Sequence, residues 1–163
     1  MKIQVAVIAT IISAVAGGKA MAVVPAAPLY NGNLCIPVLS DAGVVERDVY
    51  GVHNVSATQE ATVWCPIQTP GQISGNLCAV VYDRNASVGV DVSCTLYDLG
   101  PDGSTQWQVN RKSSGSGSAA QTLDFGYLNP IGTNMVMQCS IPRLTSGYSH
   151  VTSWYWSNGS GCL

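Results

Sequence analysis

A chain of 163 residues that is 47% hydrophobic and only 10% charged holds enough apolar side chain for one core, which excludes a disordered polymer and fits a single domain. With Lys2 and Lys19 set aside as part of a removable leader, five basic residues face nine acidic ones, a net charge of −4. Nucleic acid is therefore not an expected partner, because it demands a basic stripe to displace counterions, and the only adjacent basic pair is Arg111-Lys112.

The chain opens with Lys2, an apolar run from Ile3 to Ala16 and small residues ending in Ala20-Met21-Ala22. This order is that of a secretory signal peptide, so residues 1–22 are expected to be cleaved after Ala22. The apolar run falls short of the roughly 20 residues that span a bilayer. No cysteine sits at the cleavage point, and the final "NGSGCL" lacks the apolar tail of a lipid-anchor signal. The expected product is secreted, extracellular or periplasmic, without a stable membrane anchor.

Residues 23–33 form a Pro-containing apolar arm without helical periodicity, and residues 34–163 read as one domain. Short segments of strand-like composition, separated by Gly, Asn, Asp, Ser and Pro, are predicted at 34–38, 48–56, 61–67, 78–83, 89–98, 104–111, 121–127, 133–141 and 148–156. No segment has helical character. The clearest alternation is "GVDVSCTLYD", which places Val90, Val92, Cys94 and Leu96 on one face. In "TNMVMQCSI" the same period aligns Met135, Met137, Cys139 and Ile141. "DLGPDGST" reads as a hairpin turn and "KSSGSGSAAQ" as a loop, with Asp83, Asp98 and Asp102 as turn residues. Calcium binding by Asp98 and Asp102 would need more oxygen ligands at closer spacing. The class these signals predict is all-β: an antiparallel β-sandwich, jelly-roll or immunoglobulin-like.

Six cysteines, at 35, 65, 78, 94, 139 and 162, all follow the leader, and an even count in a secreted chain predicts a disulfide-stapled fold. Adjacent cysteines are never closer than thirteen residues, which speaks against a zinc site built on short Cys spacings, and no metal or other cofactor is expected. Cys94 and Cys139, both inward on strong strands, are the first candidates for a bridge across the core. Cys35 with Cys65 and Cys78 with Cys162 would account for the rest.

The pieces "GVHNVS", "VWCPI", "VVYDRN", "VSCTL" and "MQCSIP", spread over residues 48–142, resemble a pattern in small secreted bacterial all-β proteins, mostly uncharacterised, with cysteines in these places. The resemblance implies the fold and a cysteine frame, and no particular activity. Cys78 and Cys162 are additional to that pattern. Sequons at Asn54, Asn85 and Asn158 would be glycosylation acceptors in a eukaryotic protein. The bacterial character of the resemblance removes that expectation.

Chemistry-bearing motifs are sparse. His53 and His150 are the only histidines, and the sequence has no G-x-S-x-G, H-E-x-x-H, P-loop or Rossmann fingerprint. A Ser/His hydrolase built on either is therefore the least favoured reading, and no catalytic residue is assigned. Asp91 and Asp124, in predicted strands, are weak candidates for paired-carboxylate chemistry. The first reading is a cell-exterior structural or interaction protein that assembles or adheres through exposed edge strands, with itself or an extracellular partner, and with the arm Val23 to Tyr30 as a potential strand donor. The alternative is a carbohydrate-binding module using Trp107, Trp154 and Trp156. In "HVTSWYWSNGSGCL", strict alternation places Tyr148, His150, Thr152, Trp154 and Trp156 on one face. Trp154 is expected inside and Trp156, nearer the strand end, exposed.

Overall fold

The structure is a computed structural model that describes residues 29–68, 74–84, 90–114, 117, 119–129, 134–158 and 161–162. The leader, most of the arm and the sequon at Asn85 lie outside the described residues. Eleven strands occur among them: β1 (Leu29–Asn31), β2 (Ile36–Pro37), β3 (Val45–Asp48), β4 (Gly51–Asn54), β5 (Ala61–Pro66), β6 (Gly75–Tyr82), β7 (Ser93–Leu99), β8 (Thr105–Lys112), β9 (Ala120–Leu128), β10 (Asn134–Ile141) and β11 (His150–Ser157). The described helical structure is two 3-10 turns, Gly32–Leu34 and Leu39–Asp41.

One sheet has six strands in the order β3-β4-β11-β6-β9, with β1 also on β11, and the other has five in the order β2-β5-β10-β7-β8. All pairings are antiparallel. From β4 to β11 the chain distributes its strands as β4-β11-β6-β9 against β5-β10-β7-β8. That is jelly-roll connectivity, and it decides between the two sandwich types left open above. Two predicted strands are divided or shortened. Segment 48–56 is really a hairpin of β3 and β4 around Val49-Tyr50, and segment 34–38 contributes only the two residues of β2.

The core forms where the two alternations meet. Val52, Leu77, Ala79, Val81, Val151, Trp154 and Trp156 from the six-stranded sheet face Val63, Cys65, Leu96, Met137, Cys139 and Ile141 from the other, all fully buried. Trp154 is thus inside as expected, whereas Trp156 is also fully buried and not exposed. Its ring lies between the sheets and its Nε1 donates to Gln68 O at 3.2 Å. Nearness to the strand end therefore does not expose it. The regular alternation read for β11 fails at its other end. Its register shifts between Val151 and Ser153, and such a bulge reverses the faces on either side. His150 consequently stands opposite His53, while Val151 pairs with Val52 and turns inward with Trp154.

Two glycines make room for that bulge. A Cβ on Gly32 or Gly51 would collide with the Val151 carbonyl oxygen, and Gly51 has φ +128°, which L side chains rarely adopt. Gly51→Ala is expected to lower unfolding stability by about 3 kcal/mol, measurable by denaturant titration of the oxidised protein. A loss near zero would mean that the bulge relaxes freely.

Three disulfides close the fold: Cys35–Cys65, Cys78–Cys162 and Cys94–Cys139. Cys94 and Cys139 do not bridge across the core. They are opposite residues of the paired strands β7 and β10, with Cα atoms 4.1 Å apart. Cys35 likewise faces Cys65 within the five-stranded sheet, one residue before the Ile36–Trp64 pair. Residues 29–37 therefore step from β11 in one sheet to β5 in the other and hold one side of the sandwich. The Leu29–Asn31 part of the arm pairs with its own β11, and Tyr30 stacks on Trp154 with centroids 5.9 Å apart. The arm's described end is thus packed on its own domain.

Asn54 is another tie between the sheets. It is buried, and its Nδ2 donates to the carbonyls of Gln59, Ile141 and Pro142 while its Oδ1 accepts from Ser56 N. This sequon is consequently no surface acceptor. Asp83 is no turn residue exposed to water but a fully buried carboxylate accepting from Ser113 and Ser149. Asp98 lies within β7. Asp102 does make the expected turn, accepting from Ser104 N and Oγ, and these bonds hold its carboxyl below the usual range.

Candidate functional site

The outer face of the five-stranded sheet carries the side chains that alternate with the core residues. Ile36 pairs with Trp64, Trp64 with Gln138, Gln138 with Thr95 and Thr95 with Asn110, giving one row across all five strands. The next row runs Pro66, Val136, Tyr97 and Gln108. Trp64 and Tyr97 therefore meet diagonally, their ring centroids 5.7 Å apart and their planes tilted by 40°. The Tyr97 hydroxyl donates to Gln138 Oε1 at 2.9 Å, and Asn110 Nδ2 donates to Thr95 Oγ1 at 2.8 Å and to Ser93 Oγ at 3.0 Å. These bonds fix the polar groups against the sheet, so a ligand would meet oriented groups at small entropic cost.

This face leads at one end into a cavity of about 270 Å³ lined by Glu60, Val90, Asp91, Ser93, Lys112 and Ser140. Ser140 Oγ donates to Glu60 Oε2 at 2.8 Å. Aromatic and aliphatic surface thus grades into hydroxyls, amides, two carboxylates and an ammonium. Such a mixture suits a ligand with apolar ring faces and polar edges. Asp91 belongs to this cavity. Asp124, the other carboxylate singled out, sits on the opposite sheet and accepts from Asn76 Nδ2 and Gly126 N.

The three tryptophans expected to make a platform do not come together. Trp154 and Trp156 are core residues, and Trp107 is 40% exposed on the edge strand β8 opposite Asp98. Trp64 was missed. The signal that could have found it is the alternation of "ATVWCPI" itself: Ala61, Val63 and Cys65 go inward, which leaves Trp64 outward.

A second constellation lies on the outer face of the six-stranded sheet. The β3–β4 turn brings Asp48 beside His53, and the bulge in β11 turns His150 to the same side. Asp48 Oδ2 is 3.2 Å from His150 Nε2 and 3.7 Å from His53 Nδ1, and the two imidazole centroids are 4.9 Å apart. Tyr148 packs on His53 at 4.7 Å and Tyr50 lies edge-on to His150 at 6.1 Å. Burial, and then the neighbouring His150, hold the His53 imidazole below its ordinary pKa against the pull of Asp48 and Glu46. For Asp48, burial acts to raise the pKa. The Tyr50 N–H, the bond to His150 and the nearby imidazoles outweigh it and hold the carboxyl below its usual value. At neutral pH this is a carboxylate facing imidazoles at least one of which is neutral. In this arrangement His150 Nε2 hydrogen-bonds the Asp48 carboxylate, while the Nδ1 atoms of both histidines are buried without a hydrogen-bond partner.

No helix among the described residues is long and apolar enough to cross a membrane, and three disulfides fit an extracellular protein. No family model matches the chain, and no curated protein matches it. Among solved structures, the chain is similar to the enzymatically active domain of tailspike protein 4 of bacteriophage CBA120, with a TM-score of 0.47 and 10% identity over 80% of this chain and 19% of that one. The chain thus spans about a fifth of that tailspike domain's length.

Proposed function

We propose that this protein is a non-catalytic binding domain of the cell exterior, and that it holds a saccharide chain across the outer face of its five-stranded sheet. The observation that carries the reading is the pair Trp64–Tyr97, half-exposed at the middle of that face and surrounded by the hydrogen-bonded polar groups of Gln138, Thr95 and Asn110, with Gln108 exposed opposite Tyr97. Stacking on the rings would supply affinity and the amides and hydroxyls would select among sugars. The cavity beyond, with Glu60, Asp91 and Lys112, would hold a terminal or charged substituent.

The test is retention of the mature, oxidised protein on a panel of immobilised polysaccharides. At least one should retain it, and Trp64→Ala or Tyr97→Ala should each weaken that binding about tenfold, while Trp107→Ala leaves it unchanged. Absence of retention on every polysaccharide, or retention indifferent to both substitutions, would sink the proposal.

One observation favours a second reading, self-assembly or adhesion by strand addition. β8 is an eight-residue edge strand, and every position in it except Val109 is exposed. An unpaired edge of that length accepts another strand unless something covers it. Sizing of the mature protein separates the readings: oligomers that dissociate on Gln108→Pro would belong to the edge, monomers to the face.

A further inference from the structure

We propose that Asp48, His53 and His150 form a binding site for a divalent transition-metal ion of the zinc class. One ligand atom from each residue lies within 4.8 Å of those of the other two. A tetrahedral ion with bonds of about 2.1 Å sets its ligands roughly 3.4 Å apart. The Asp48–His150 and Asp48–His53 separations of 3.2 and 3.7 Å already bracket that value.

The second observation concerns the histidines themselves. His53 is 5% and His150 is 4% exposed, and His53 Nδ1, which points at Asp48, has no hydrogen-bond partner. A buried imidazole nitrogen without a partner is costly. Asp48 does not relieve it. Its Oδ1 accepts from Tyr50 N at 2.7 Å, and its Oδ2 is closest to His150 Nε2. A cation between the three groups would give the His53 lone pair a partner and replace the Asp48–His150 hydrogen bond with two ligand bonds.

The surroundings suit an ion as well. The Tyr50 N–H fixes the carboxylate so that Oδ2 faces the imidazoles, which is the orienting role outer hydrogen bonds play at metal sites. Tyr50 and Tyr148 wall the histidines, while the Asp48 side chain is 36% exposed and leaves one side open to water. Three protein ligands with a fourth position left to water make an open site rather than a closed structural centre. The site stands on the opposite sheet from the proposed saccharide face and is independent of it.

The experiment uses the mature, oxidised protein freed of metal by chelation. Titration with Zn²⁺ by calorimetry should give one site per chain, and Co²⁺ should produce the visible absorption of a low-coordinate nitrogen–oxygen site. His53→Gln, His150→Gln and Asp48→Asn should each weaken Zn²⁺ binding at least about tenfold. Asp48→Asn, altering a partly exposed group, keeps the test valid where a histidine variant fails to fold. An unchanged one-site titration in Asp48→Asn, or no Zn²⁺ binding by the wild-type protein, would overturn the proposal.

Discussion

Replacing Trp154 by alanine is expected to remove about 3–5 kcal/mol of stability, enough to leave much of the protein unfolded at ambient temperature if its total is ordinary. Trp154 is fully buried at the middle of β11, stacked on Tyr30 of β1 and paired across the sheet with both Tyr30 and Ala79. Truncation opens a cavity beside the small Ala79, which offers little volume to collapse into it. It also frees Tyr30, the residue by which the arm holds the six-stranded sheet. Trp154→Phe, which keeps a ring for Tyr30 and removes a buried Nε1 that lacks a hydrogen-bond partner, should recover more than half of the loss. Denaturant unfolding of the three oxidised proteins measures this. A loss under about 1 kcal/mol for the alanine variant would contradict the packing described.

Opening the Cys94–Cys139 bridge by substituting both cysteines with alanine should cost about 4 kcal/mol, the chain-entropy value for the 45-residue separation it closes. The bridge joins directly opposed residues of β7 and β10 at the centre of the five-stranded sheet, with Cys65–Cys35 on the neighbouring row. It thereby fixes the register that sends Trp64 and Tyr97 to the outer face, since a one-residue slip would exchange the faces. The double variant should melt well below the parent, with both proteins' other two disulfides verified intact by mass. An equal melting temperature would mean that the ladder alone sets this register and that the bridge adds nothing.

Much of the scaffold was legible from period-two patterning. "VSCTL" and "MQCSI" pointed Cys94 and Cys139 inward as they stand in β7 and β10, and the spacing of turn residues separated the long strands. What escaped were features that alternation does not encode. The bulge at Val151–Ser153 is one extra residue with no compositional mark, and it moved His150 to the face opposite Trp154. Because of it, the pairing of His150 with His53 and Asp48 could not be read from the sequence, in which His150 lies about a hundred residues beyond the segment that holds the other two. Trp156 was misplaced for a different reason. Nearness to a strand end says nothing about the Gln68 carbonyl that accepts its Nε1–H or about its burial between the sheets. Trp64 lay in plain view within a regular strand and was passed over in favour of the tryptophan-rich terminus.

The Asp48–His53–His150 cluster and the Trp64–Tyr97 face occupy opposite sides of the sandwich, and the closing strand β11 contributes to the first while its tryptophans hold up the core beneath the second. The proposed saccharide face therefore rests on side chains that are outward only because their neighbours are inward.

The most direct measurement is amide shift mapping of the labelled, oxidised protein during titration with a soluble oligosaccharide of the polysaccharide that retains it. Shifts should cluster at residues 62–66, 93–97, 108–110 and 136–140, and leave the outer face of the six-stranded sheet unmoved. Shifts confined to that other sheet, or no shifts at saturating ligand, would contradict the assignment of the binding face.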